Sequence, residues 1–104
     1  MTPPALTAEQ RSAALAKAGE VRRARSELLA AVRDGRQSIP SVLDRAETDE
    51  VVRRTRVAQL IKAVPGVGAV RAAAVMREAG IDEGRRVGGL GDRQRRALVE
   101  IFGR

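Results

Sequence analysis

The sequence predicts an all-α fold, a long N-terminal helix followed by a compact helical domain, and three observations carry that expectation. Thr7 and Gln10 form a capping signal ahead of a long stretch with no proline and one glycine, Gly19. The apolar content is 43% of 104 residues, mostly Ala and Val with a single Phe, which suits a thin core between helices. Beyond residue 35, Gly and Pro cut the chain into short segments whose apolar residues recur near helical spacing. The length fits one small domain with an appended arm. Residues 1–6 are expected to form a flexible lead, 7–35 the long helix and 36–104 the compact domain.

In the first helix, Thr7 is the N-cap and Gln10 reaches back to it, and the helix runs from Ala8 to about Asp34, where Gly35 closes it. Leu28, Leu29 and Val32 make a core stripe, whereas residues 8–20 offer mainly alanines and Leu15, so the first turns project from the domain. Arg22, Arg23 and Arg25 read as a solvated face balanced by Glu20 and Glu27, with contact to a second stretch of a polyanionic partner as the alternative. Ser38 caps a short helix with Pro40 in its first turn and Val42 and Leu43 facing inward. Asp44, Glu47, Asp49 and Glu50 form an acidic patch with no partner for metal or acid–base chemistry, and are assigned to surface and helix ends.

Residues 51–64 predict one continuous helix, with Val52, Val57, Leu60, Ile61 and Val64 inward and Arg53, Arg54, Arg56 and Lys62 in the remaining positions. Residues 68–79 predict the next helix, stopped by Gly80, with Val70, Ala73, Ala74, Val75 and Met76 as its apolar residues. Residues 80–91 form a glycine-rich loop anchored by Ile81, Val87 and Leu90, presenting Arg85 and Arg86 outward. Gly91 caps a last helix with Gln94 in the reciprocal position, and Leu98, Val99, Ile101 and Phe102 supply its apolar contacts. Arg93, Arg95 and Arg96 gather around the positive end of that helix, a second candidate anion site.

The segment Val64-Pro65-Gly66-Val67-Gly68-Ala69-Val70-Arg71 carries most of the functional information. Glycine there reaches backbone angles closed to other residues and leaves the main chain open to a ligand. With Gly68 opening the next helix, unpaired N–H groups point outward from the positive end of a helix dipole, a setting that attracts phosphate. The structural alternative is that Pro65-Gly66 ends one helix and Gly68 allows close packing.

Charge points the same way. Residues 1–50 balance eight basic against eight acidic side chains, while residues 51–104 carry twelve basic and five acidic, so the whole net charge of +7 lies in the half that holds the turn. Arg outnumbers Lys 18 to 2, which suits bidentate phosphate contacts. With almost no aromatic side chains there is no platform for stacking unpaired bases, so a duplex is the expected partner. The absence of Cys and His excludes disulfides, the usual zinc ligands and nucleophile–histidine catalysis. The start, Met1-Thr2-Pro3-Pro4, lacks a signal-peptide pattern, and no window approaches the ~20 apolar residues of a membrane span, so a cytoplasmic location is expected.

Gly66-Val67-Gly68, then Ala72, then Val75 and Met76, resembles the helix-hairpin-helix signature. More broadly, a Gly-x-Gly turn, a helix ending in Gly-Ile, a basic loop and a capped helix are similar to the helix-two-turns-helix domain of ribosomal protein S13 and of formamidopyrimidine DNA glycosylases. Over nearly its full length the chain resembles the actinobacterial integration host factor family. The cues are Leu-Thr-x-Glu-Gln-Arg at residues 6–11, Val-Pro-Gly-Val-Gly at 64–68, Arg85-Arg86-Val87, Gly89-Leu90-Gly91 and Phe102-Gly103. That resemblance implies an S13-like domain behind a long helix, duplex DNA binding with low sequence preference, DNA bending and compaction in the nucleoid, effects on transcription, and support of phage integration. It does not extend to the two-subunit bacterial factor with β-ribbon arms.

In the family the turn grips the DNA backbone and the following loop, here about residues 82–91, acts as a lid; the family often has a basic residue where Gly88 stands. The expected DNA-binding set is therefore Val64, Pro65, Gly66, Val67, Gly68, Ala69, Arg71, Arg85, Arg86 and Arg93. Neither a metal, a cofactor nor a small-molecule substrate is expected, and the protein is expected to be a monomer. An S13-type protein that binds structured RNA is the alternative. Glycosylase activity is not expected, because those enzymes use a lysine and aspartate near the turn or an exposed N-terminal proline, and Pro3 sits behind Thr2.

Overall fold

The computed structural model describes residues 6–103 of the chain, so all but the last residue of the expected lead, and Arg104, lie outside the described residues. The described residues are all-helical: α1 (Ala8–Arg33), α2 (Ile39–Arg45), α3 (Glu50–Arg54), α4 (Val57–Ala63), α5 (Ala69–Ala79) and α6 (Asp92–Phe102), with one 3-10 turn at Val87–Gly89.

Helix α1 begins as its sequence dictates. The Thr7 hydroxyl accepts from Gln10 N–H at 3.0 Å and the Gln10 side chain accepts from Thr7 N–H at 2.9 Å. Only its last turns enter the core, through Leu28, Ala31 and Val32, while Leu15 is 68% exposed. At about 1.5 Å per residue a 26-residue helix is about 39 Å long, so its outer half projects. The radius of gyration of 16.2 Å exceeds the ~13 Å of a compact domain this size for that reason. Arg25 departs from the expected solvated face: it is half-buried and its Nε has no exposure to solvent.

The remaining helices close around one core. Ser38 caps α2, accepting from Ser41 N–H at 3.2 Å, with Pro40 in the first turn. Helix α1 packs on α4, α2 on α6, and α4 on α5. Their buried faces meet in Val32, Val42, Val52, Val57, Ile61, Val87 and Leu98, joined by Ile81 and Leu90 from the loop. Two residues of the acidic patch are structural: Asp49 caps α3 through Val51 and Val52 N–H and pairs with Arg45 at 3.1 Å, while Glu50 pairs with Arg54 at 2.9 Å.

One predicted helix is two. Residues 51–64 break at Thr55 and Arg56, whose backbones are extended. The Thr55 hydroxyl donates to the Val51 carbonyl at 2.7 Å, one of the local bonds by which Thr competes with helix propagation. The freed backbone pairs instead with the loop: Val57 N–H donates to the Arg85 carbonyl and Val87 N–H to the Thr55 carbonyl, both at 3.0 Å. This short antiparallel bridge sets Arg56 opposite Arg86 and holds the basic loop against the helices. Three apolar assignments also change: Val70 is 86% exposed, and Ala74 and Val99 are exposed rather than in the core.

Candidate nucleic-acid interface

The turn between α4 and α5 forms as its glycines require. Val64 ends α4 in an extended conformation, Val67 N–H donates to the Val64 carbonyl at 3.1 Å, and Gly66 takes φ 81°, a region that only glycine enters freely. Val64 and Val67 are half-buried against the core, which fixes the turn, while Pro65, Gly66, Gly68 and Ala69 face solvent. Gly68 is the N-cap of α5 with no side-chain cap. The first bond into α5 from its cap is Ala72 N–H to the Gly68 carbonyl at 2.9 Å. Among the described residues, the N–H groups of Gly66, Gly68 and Ala69 have no acceptor in the protein. They lie at the positive end of an 11-residue helix, with Arg71 exposed in its first turn.

Gly68 has a different status from Gly66. Its φ of −88° suits any residue, and nothing lies within 4 Å of where a Cβ would stand. Neither strain nor packing within the fold calls for glycine there.

The basic side chains form separate groups around this turn. The four ion pairs among the described residues leave Arg56, Lys62, Arg71, Arg77, Arg86 and Arg93 without a carboxylate. Arg86 is exposed as predicted, but Arg85 folds back over the loop, donating to the Gly89 carbonyl at 3.0 Å with Asp82 at 3.7 Å. Gly88 lies against Arg53, where an added Cβ would meet the Arg53 carbonyl oxygen at 3.3 Å. Arg93 borders an open hollow with Arg77, Gly80 and Gly91 at the far end of α5. The start of α6 is tied there by Gln94, which accepts from Gly91 N–H at 3.0 Å and donates to the Gly80 carbonyl at 2.7 Å.

The ten expected residues are thus not gathered into one pocket. Arg86 sits beside the start of α4 and Arg93 beside the end of α5, each about one helix length from the turn. The sequence assigned Arg56 and Lys62 only to a helix face and gave Arg77 no role. These three border a groove of about 580 Å³ between α4 and α5, floored by Ala72, Ala73 and Met76 and reaching Ala69 at the turn. The small floor residues were the visible signal, since alanines at 69, 72 and 73 leave a helix face too low to fill such a groove.

A family described as the S13-like H2TH domain matches residues 32–102. The chain is 50% identical over 103 residues to the integration host factor of Mycobacterium tuberculosis, covering 99% of this chain and 98% of that one. It is 50% identical over 102 residues to that of Mycolicibacterium smegmatis, covering 98% and 97%. With that of Streptomyces coelicolor it shares 41% over 103 residues, covering 99% and 96%. Its fold is similar to the solved structure of sIHF bound to an 8-base-pair palindromic DNA, with a TM-score of 0.81 and 37% identity over 84% of this chain and 98% of that one. By likeness along nearly its whole length, and by the S13-like domain behind a long first helix, the chain belongs to the actinobacterial integration host factor family.

Proposed function

We propose that this protein is a nucleoid-associated protein that binds duplex DNA through its sugar-phosphate backbone, with low sequence preference, and bends and compacts it. Chromosome organisation, effects on transcription and support of phage integration follow from that activity, exercised by a monomer in the cytoplasmic nucleoid, with no catalytic step. The observation that carries the reading is the row of acceptor-free N–H groups at Gly66, Gly68 and Ala69 at the positive end of α5. The solved relative sIHF, bound to an 8-base-pair palindromic DNA, supports it.

In this mechanism the three amides hold one phosphate and Arg71 a neighbouring one. Arg86 and Arg93, one helix length away on either side, take phosphates across a groove, and Arg85 joins them on leaving Gly89. Helix α4, seven residues long and so about 10 Å at 1.5 Å per residue, separates Arg56 from the turn by a distance comparable with a major groove of about 12 Å. Contacts of this kind position the duplex without reading bases, so sequence enters through the ease of bending.

Fluorescence anisotropy with a labelled duplex over a salt series tests this. Each neutralised phosphate contributes about −0.9 to the slope of log K against log salt, so Arg86→Ala makes the slope shallower by about that amount. Arg85→Ala in addition flattens it further; an unchanged slope in the double variant removes the loop from the interface. The S13-like domain gives structured RNA a place as a second reading. A structured RNA that displaces the duplex at equal concentration would reverse the choice of DNA.

A further inference from the structure

At the end of α4 away from the turn lies a cleft of about 230 Å³ lined by Arg25, Arg54, Arg56, Gln59 and Arg86. The four arginines come from four parts of the chain: α1, the end of α3, the residue before α4, and the basic loop. Their convergence is built into the fold. The backbone bridge sets Arg56 and Arg86 opposite each other, and the packing of α1 on α4 brings Arg25 to the same place.

Among the described residues no carboxylate lines this cleft. Arg54 has an ion pair with Glu50, and both side chains are about two-thirds exposed. Arg25, Arg56 and Arg86 have no ion pair among the described residues, and the buried Nε of Arg25 has no acceptor. A desolvated guanidinium N–H without an acceptor and several like charges at one wall are each unfavourable. An anion offering several oxygens to the guanidinium forks relieves the crowding of like charge. The lining contains no aromatic ring on which a base would stack, so recognition rests on the anion itself.

We infer that this cleft is a phosphoryl-anion site, sized for one or two linked phosphate groups and distinct from the glycine turn. The phosphate comes either from a free di- or polyphosphate or from the DNA strand itself. Only the second source rests on the proposed reading of the turn. With a free anion, Arg86 is neutralised and withdrawn from the DNA, giving the site control over the loop; with DNA, the long helix joins the interface through Arg25.

The test follows arginine Nε–H and backbone amide signals of the full-length protein by NMR, titrating inorganic pyrophosphate at constant ionic strength. The Arg25, Arg54, Arg56 and Arg86 signals shift together and saturate, while the amides of residues 66–69 move little. Arg25→Gln weakens this binding by about tenfold, and Arg23→Gln, on the exposed side of α1, leaves it unchanged. Pyrophosphate displaced from these four arginines by a duplex identifies DNA as the source; pyrophosphate retained in the DNA complex identifies the free anion. Shifts that spread over all arginines without saturating, Arg33 and Arg71 included, overturn the site. Saturation at the four arginines with amides 66–69 unmoved by duplex would leave the site standing and remove the turn.

Discussion

Gly66 and Gly68 stand in one turn for different physical reasons. At Gly66 the backbone sits at φ 81°, so Gly66→Ala imposes left-handed strain of about 1–2 kcal/mol, read as a lower urea midpoint. At Gly68 the angle is ordinary and the space is empty, so Gly68→Ala changes stability by less than about 1 kcal/mol. It nevertheless places a methyl group against the amides proposed to hold phosphate, and duplex affinity falls several-fold. A Gly68→Ala variant with full affinity would return that glycine to a purely structural role. The sequence showed that both glycines mattered and gave no way to separate them, because φ at each depends on how Val64 and Val67 seat the turn in the core.

The element hardest to read in advance is the break at Thr55. Val52, Val57, Leu60 and Ile61 keep close to helical spacing across it, so the pattern alone predicts one helix. The deciding bonds join Val57 to Arg85 and Thr55 to Val87, 28 and 32 positions later, a long-range pairing that no local window contains. Thr55 is buried at 1% exposure, and its hydroxyl is bonded to the Val51 carbonyl. Thr55→Val preserves shape and leaves that carbonyl unpaired, at a cost of about 1–3 kcal/mol in chemical denaturation. Amide exchange should accelerate first in the loop that the bridge holds. Helices announced by a cap, α1 and α2, needed no such pairing and were legible at their starts, down to Thr7, Gln10 and Ser38.

At the scale of the whole molecule, one thin core supports a spread basic surface and a projecting helix. Leu98 is 1% exposed and ties α6 to the rest, so Leu98→Ala costs about 2–5 kcal/mol. Leu15, 68% exposed on the projecting part of α1, tolerates the same change within about 0.5 kcal/mol. Equal costs at the two positions, measured by thermal or urea unfolding, would contradict this division. The sequence made the local parts of the candidate interface visible, since Val64 to Arg71 are consecutive. It left the arginine cleft hidden, because Arg25, Arg56 and Arg86 meet only once α1 packs on α4 and the loop bridges to Arg56. In the proposed complex a double helix is held by main-chain amides at the α4–α5 turn. Amide chemical shifts recorded while a short duplex is added test it most directly: Gly66, Gly68, Ala69 and Arg71 should move early and together. A duplex that binds and shifts other residues while those four stay in place would contradict the account.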